Sequence, residues 1–178
     1  NDSKDNSLDV VELNTGSFFS DIIPAIEIKS TKFISSKVIC IDGFVESISE
    51  IHRLLEDASS SKENIIIFLR GLSNDVRHTL KVNYDRGSLT VLPLIDKYDL
   101  EGVNLLNDIA VVSGTDVVSS FKGQLINAID IASIPRVDSI DITSSGCLIE
   151  NSSTANLVDQ HISFLQKKIL DSDSDSAK

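Results

Sequence analysis

Two kinds of segment follow one another along this chain: short unbroken apolar runs, and longer stretches in which apolar residues recur at three- and four-residue steps. Lys37 to Asp42, reading KVICID, is a run of the first kind between Ser36 and Gly43, and it predicts a buried strand. From Val45 to Ala58 the residues Val45, Ile48, Ile51, Leu54 and Leu55 fall on one helical stripe, which Ser59 to Ser61 ends. Asn64 to Leu69 carries four consecutive apolar side chains from Ile65 to Phe68, the pattern of a strand covered on both faces. Gly71 then reads as a turn, and Ser73, Asn74 and Asp75 supply caps and a negative charge for a helix running to about Asp85. Arg86-Gly87 closes that helix, and Leu89 to Leu94 predicts a third strand. Strand, helix, strand, helix, strand implies parallel pairing with right-handed crossovers.

Beyond Pro93 the spacing of Leu100, Val103, Leu106, Ile109 and Ala110 predicts a helix over Asp99 to Ser113, stopped by Gly114. Val117-Val118 reads as a short strand. Val137 to Thr143 alternates, Ser144 to Gly146 has turn chemistry, and Cys147 to Glu150 completes a hairpin. Ser153 or Thr154 caps a final helix whose apolar face is Leu157, Val158, His161, Ile162, Leu165 and Ile169, with Lys167 and Lys168 near its C-terminus. Residues 1–7 read as a polar N-terminal tail and 171–178 as an acidic, Asp-Ser-repeating C-terminal tail, which leaves 8–170 as a single domain.

Composition narrows the function. The net charge is -11 and no basic run occurs, so a phosphate-binding, nucleic-acid surface is not expected. No apolar run approaches the roughly 20 residues that span a bilayer, so no membrane association is expected either. The 178 residues contain no Met, which makes an excised or processed piece of a longer protein the expectation. Cys40 and Cys147 lie in strand-like apolar surroundings and read as small buried hydrophobes, with neither a CxxC redox motif nor zinc-ligand spacing.

The search for chemistry returns little. The strand-to-helix turns read Asp42-Gly43-Phe44 and Gly71-Leu72-Ser73, and neither is a glycine-rich phosphate cradle. His52, His78 and His161 fall on three separate helices without metal-ligand spacing, and no serine sits in a GxSxG elbow. Asp42, at the end of a strand, allows an alternative reading as the phosphoacceptor of a stand-alone α/β receiver-like signalling domain. The acidic pair and late lysine such a domain needs are not evident.

Residue order points elsewhere. Asn64 to Ser119 holds an apolar strand, a helix ending in Thr79-Leu80-x-Val82-Asn83, then Arg86-Gly87, a strand, a helix ending Asp108-Ile109-Ala110, and Ser113-Gly114 before a short strand. Upstream, Asp42, Ile48, Glu50, Leu55 and Glu56 keep a matching order, as does Gly16. This succession resembles the apical domain of group I (GroEL-type) chaperonins over nearly the whole folded part. The resemblance implies an α/β fold of the chaperonin apical-domain (swivelling β/β/α) type, a mixed sheet with flanking helices.

It also implies a function. The helices over Val45 to Ala58 and Asn74 to Asp85 would lie side by side and bind two ligands in turn: non-native client polypeptides and the mobile loop of a GroES-type co-chaperonin. The matching positions are Ser17, Asp21 and Ile22, then His52 and Leu55, then Arg77, Lys81, Val82 and Asn83. The family has aromatic or aliphatic residues at Ser17, Asp21, His52, Arg77 and Lys81, so this is a divergent groove. If Arg77 and Lys81 line it, acidic or amphipathic clients would be favoured. The fragment would be no enzyme and need no cofactor. ATP and Mg would belong to the equatorial domain of a parent protein assembled into homo- or hetero-oligomeric rings. An organelle matrix (plastid, apicoplast or mitochondrion) is the expected compartment, with a bacterial cytoplasm as the alternative.

Overall fold

The computed structural model describes residues 16–99 and 102–175, so the N-terminal tail (1–7) with residues 8–15 of the domain, Leu100 with Glu101, and 176–178 lie outside it. The strands are β1 (Ser17–Ser20), β2 (Ile22–Pro24), β3 (Lys32–Val45), β4 (Ile65–Leu72), β5 (Val91–Asp96), β6 (Val117–Ser119), β7 (Arg136–Thr143) and β8 (Gly146–Glu150). The helices are α1 (His52–Ser61), α2 (Asn74–Asp85), α3 (Val103–Ser113) and α4 (Ala155–Asp175). The last runs into the segment whose composition reads as an acidic tail.

Among the described residues the strands form one mixed sheet in the order β1-β8-β7-β3-β4-β5-β2, with β6 on a further pairing to β3. The central β3-β4-β5 block is parallel, as the alternation predicted. Strand β3 is the spine. Its first half pairs antiparallel with β7 and its second half parallel with β6 along the same edge, while β4 occupies the other.

Alternation along the central strands divides the core in two. Val38, Cys40, Ile66, Phe68, Leu92 and Leu94 join Leu106 and Ile109 of α3 on one face. Ile39, Ile41, Ile65, Ile67, Leu69 and Val91 join Leu54, Leu55 and Ala58 of α1 and Val76 and Leu80 of α2 on the other. The crossover helices that follow β3 and β4 thus share one side of the sheet, which is the geometry a groove between them requires.

Several boundaries differ from the sequence reading. Val45 ends β3 instead of starting a helix, and Ile48–Glu50 is a separate 3-10 turn. The reason is local: Glu50 Oε2 accepts from the backbone N–H of Ser47 at 2.7 Å and of Glu46 at 2.8 Å, fixing a capping box before α1 begins. Gly71 is a strand residue, paired with Phe44 of β3, and the Phe44 ring lies where a side chain would be: a Cβ there would sit 2.6 Å from Phe44 Cε2. The start of α2 is as expected, with Ser73 Oγ accepting from Val76 N–H at 3.3 Å.

Cys40 and Cys147 are free and fully buried on the α3 side of the sheet. Desolvation raises both thiols, Cys147 to about 12 and Cys40 further. Native protein incubated with a thiol-reactive chromophore at pH 8 is therefore expected to release less than about a tenth of the signal of the unfolded chain, since the thiolate is the reacting form. Rapid labelling of either cysteine without denaturant would contradict this packing.

Candidate functional site

A groove of about 610 Å³ opens between α1 and the C-terminal end of α2. His52 and Leu55 of α1 and Asn83 of α2 line it, so three of the nine positions singled out from the sequence come together there. Its floor is Leu55 and Leu89, each only 9% exposed. Glu56 and Asp57 form the α1 rim, and Ser59, Ser60 and Ser88 complete the walls.

Helical geometry explains which side of α2 faces this groove. Val76 and Leu80 point into the core, and Asn83 lies on the flank turned to α1. Arg77 lies on the opposite flank, where its Nη1 donates to the Ala25 carbonyl at 2.7 Å. Tyr84 shares that flank, its hydroxyl accepting from the N–H groups of Lys29 and Ser30. Lys81, one turn beyond Arg77, is held by both carboxylate oxygens of Asp85 at 2.6 and 2.7 Å, which keeps the Asp85 carboxyl below its ordinary range. Neither Arg77 nor Lys81 lines the groove, and nor does the half-buried Val82.

The remaining three positions lie elsewhere. Ile22 is 1% exposed and belongs to the core on the α3 side, across the sheet from α1 and α2. Asp21 forms the turn between β1 and β2 with φ +59° and borders a separate hollow with Phe18, Tyr98 and Asp108. Ser17 is half-buried in β1, opposite Ile149. A short strand after a left-handed turn puts Ile22 on the far face, and nothing in the order of residues around Asp21 reveals that turn.

Asp42 has its own surroundings at the carboxyl end of the parallel strands. The register of β3 against β4 shifts between Ile41 and Phe44. That bulge leaves Asp42 8% exposed with one carboxylate oxygen 3.2 Å from Arg70 Nη1 and the other 3.4 Å from Ser119 Oγ. Arg70 is also clamped through Nε and Nη2 to Asp99 at 2.6 and 2.9 Å. A phosphoacceptor needs a free carboxylate oxygen beside a cation-binding acidic pair, whereas a guanidinium and a hydroxyl occupy both oxygens here. Among the described residues no group of three His, Cys, Asp or Glu side chains is placed to hold a metal ion, and no helix is long and apolar enough to cross a membrane.

The chain is 23% identical over 166 residues to the α subunit of the chloroplastic RuBisCO large subunit-binding protein of Triticum aestivum, covering 92% of this chain and 31% of that protein. It is 24% identical over 149 residues to chaperonin GroEL 1 of Prochlorococcus marinus, covering 83% of this chain and 26% of the other. Chaperonin gp146 of the bacteriophage EL superposes with a TM-score of 0.65 at 16% identity, over 86% of this chain and 32% of that one. The chain is thus similar to group I chaperonins over most of its length. No family model matches it. The chain spans about a quarter to a third of the length of the relatives it matches, and its mixed sheet with flanking helices is an apical-domain-like fold.

Proposed function

We propose that the chaperonin-like domain binds non-native polypeptide, and the mobile loop of a co-chaperonin, in the groove between α1 and α2. The observation that carries this reading is the meeting of His52, Leu55 and Asn83 from two crossover helices on one side of the sheet. Chaperonin relatives covering most of the chain support it. The task is adhesion, and no bond is made or broken. ATP hydrolysis with Mg would belong to a separate equatorial domain of a ring-forming parent. The relatives are chloroplastic and bacterial, in keeping with an organelle matrix or a bacterial cytoplasm; we favour the organelle.

Apolar burial alone does not provide the affinity. Covering an exposed Leu is worth about 1.5–3 kcal/mol. With nine-tenths of Leu55 and Leu89 already covered, each retains only about a tenth of that. Polar contacts along the walls must supply the rest.

The groove can be filled without disturbing the core, because Ser59 is an exposed residue of α1 at its edge. Ser59→Trp is expected to weaken binding of a labelled unfolded polypeptide at least about tenfold, equivalent to about 1.4 kcal/mol. Its thermal unfolding should stay within about 0.5 kcal/mol of the parent, as for other surface substitutions. Undiminished binding by a well-folded Ser59→Trp would place the client surface elsewhere.

A further inference from the structure

The hydrogen-bonding groups left over in the groove are mostly of one kind. Ser60 Oγ donates inward to the Glu56 carbonyl at 2.9 Å, and Ser88 Oγ donates to the Asn83 backbone carbonyl at 3.1 Å. Asn83 Nδ2 donates to the Thr79 carbonyl at 2.9 Å. These donors are therefore engaged within the fold, while the oxygens of the two hydroxyls, on residues that line the groove, keep acceptor capacity. The Glu56 and Asp57 carboxylates accept only. The outward donors that remain are the Ser59 hydroxyl, the second Asn83 N–H and the His52 imidazole, whose Nε2 is turned to Glu56 at 3.1 Å.

The local cations do not reverse this balance. Arg77 is tied to the Ala25 carbonyl and Lys81 to Asp85, both outside the groove. Arg53 Nε approaches Asp57 only to 3.8 Å, and His52 Nε2 lies 3.1 Å from Glu56. Both pairs are solvent-exposed, the setting in which an ion pair adds least and leaves its carboxylate open to another donor.

We infer that the groove selects client segments in which Lys or Arg alternates with apolar residues, the opposite of the acidic preference that Arg77 and Lys81 would have conferred. Cationic side chains bring the donors that the walls lack, and interleaved apolar residues reach the strip of Leu55 and Leu89. The net charge of -11 attracts the same segments from a distance. This inference rests on the proposed groove, and its test separates the two.

Labelled peptides with the same alternating Leu and Val positions, and Lys, Ser or Asp between them, are titrated against the whole chain by fluorescence anisotropy at low and moderate salt. The Lys series is expected to bind at least about tenfold tighter than the Asp series at low salt, the gap narrowing as salt rises. Glu56→Gln with Asp57→Asn should reduce that ratio to about twofold or less. Asp116→Asn with Asp159→Asn, which removes the same charge away from the groove, should leave most of it. An Asp series that binds as well as the Lys series, or a Lys preference unchanged by the groove substitutions, overturns the inference and leaves the groove as a client site. Binding by none of the peptides, or binding that Ser59→Trp leaves intact, overturns the proposed site itself. Circular dichroism of each variant confirms that the helices persist.

Discussion

Gly146→Ala is expected to destabilise the fold by about 3 kcal/mol, through strain at a sparsely populated backbone geometry and lost strand pairing. Gly146 opens β8 with φ +155°, and a Cβ added there would stand 2.1 Å from the carbonyl oxygen of Phe19 and 2.9 Å from Ser20 Cα. Both obstacles are backbone, so no rotamer change relieves them. Relief requires the β1 pairing of Ser17–Ser20 with Gly146–Ile149 to separate, which uncovers Phe19 and the inner face of Cys147 and Ile149. With a urea dependence of about 1–3 kcal/mol per M for a small domain, the unfolding midpoint should fall by roughly 1–3 M. A midpoint that moves by less than about 0.3 M would show that the β1 edge adapts freely.

The second large effect concerns a charge carried under the loop that follows β6. Lys37 is 6% exposed, its ammonium donating to the Ile131 carbonyl at 2.8 Å and lying 3.6 Å from Glu63. Glu63 in turn accepts from Arg136 through Nη2 at 2.5 Å and Nε at 3.2 Å. Glu63→Gln leaves the Lys37 charge without its anion in a covered site. Removing one partner of a buried pair costs about 3–5 kcal/mol, and the solvent access of Arg136 beside it brings the expectation to about 2–3 kcal/mol at pH 7. The double variant Lys37→Met with Glu63→Gln should recover most of that loss, because no buried charge then remains.

The pH dependence has a definite sign. The Arg136 hydrogen bond, then the charges of Lys37 and Arg136 working against burial, hold the Glu63 carboxyl below the ordinary range. A carboxyl lowered on folding contributes its full stability above the unfolded value of about 4.3, and that contribution disappears as pH falls through the lower folded value. Wild type should therefore lose stability on acidification below about pH 5, while the gap between it and Glu63→Gln narrows. A gap that is constant from pH 7 to pH 3, measured by urea titration at each pH, would mean that Glu63 does not hold this charge.

Much of this architecture is legible in the chain because its signals are local. The runs at Lys37 to Asp42 and Asn64 to Leu69, the Ser73 cap and the Arg86-Gly87 stop each act within a few residues, and all became elements close to where they were read. What escaped depends on distant partners. Ser17–Ser20 has two adjacent phenylalanines and no alternation, and it is a strand only because β8 lies beside it. In Lys32–Ser36, Ile34 is exposed while Ser36 is buried, against their chemistry, and the pairing with β7 decides. The groove shows the same division. Leu55 and Asn83 are positions that the resemblance implied, on helices whose spacing is local, whereas the removal of Arg77 from the groove depends on the Ala25 carbonyl, fifty-two positions away.

The two-sided edge of β3 sets the order in which the molecule can assemble. Val38 meets Ile66 across one helical crossover, and Ile65 meets Val91 across the next, so the parallel block closes through much shorter sequence separations than the pairing with β7. Lys32 must wait for Asp141, with most of the chain synthesised between them. Closing a longer loop carries a larger entropic barrier, and long-range pairing slows folding. The two helices that flank the groove are thus expected to form with the parallel strands before β7 pairs with β3, an order that pulse-labelling hydrogen exchange during refolding would check.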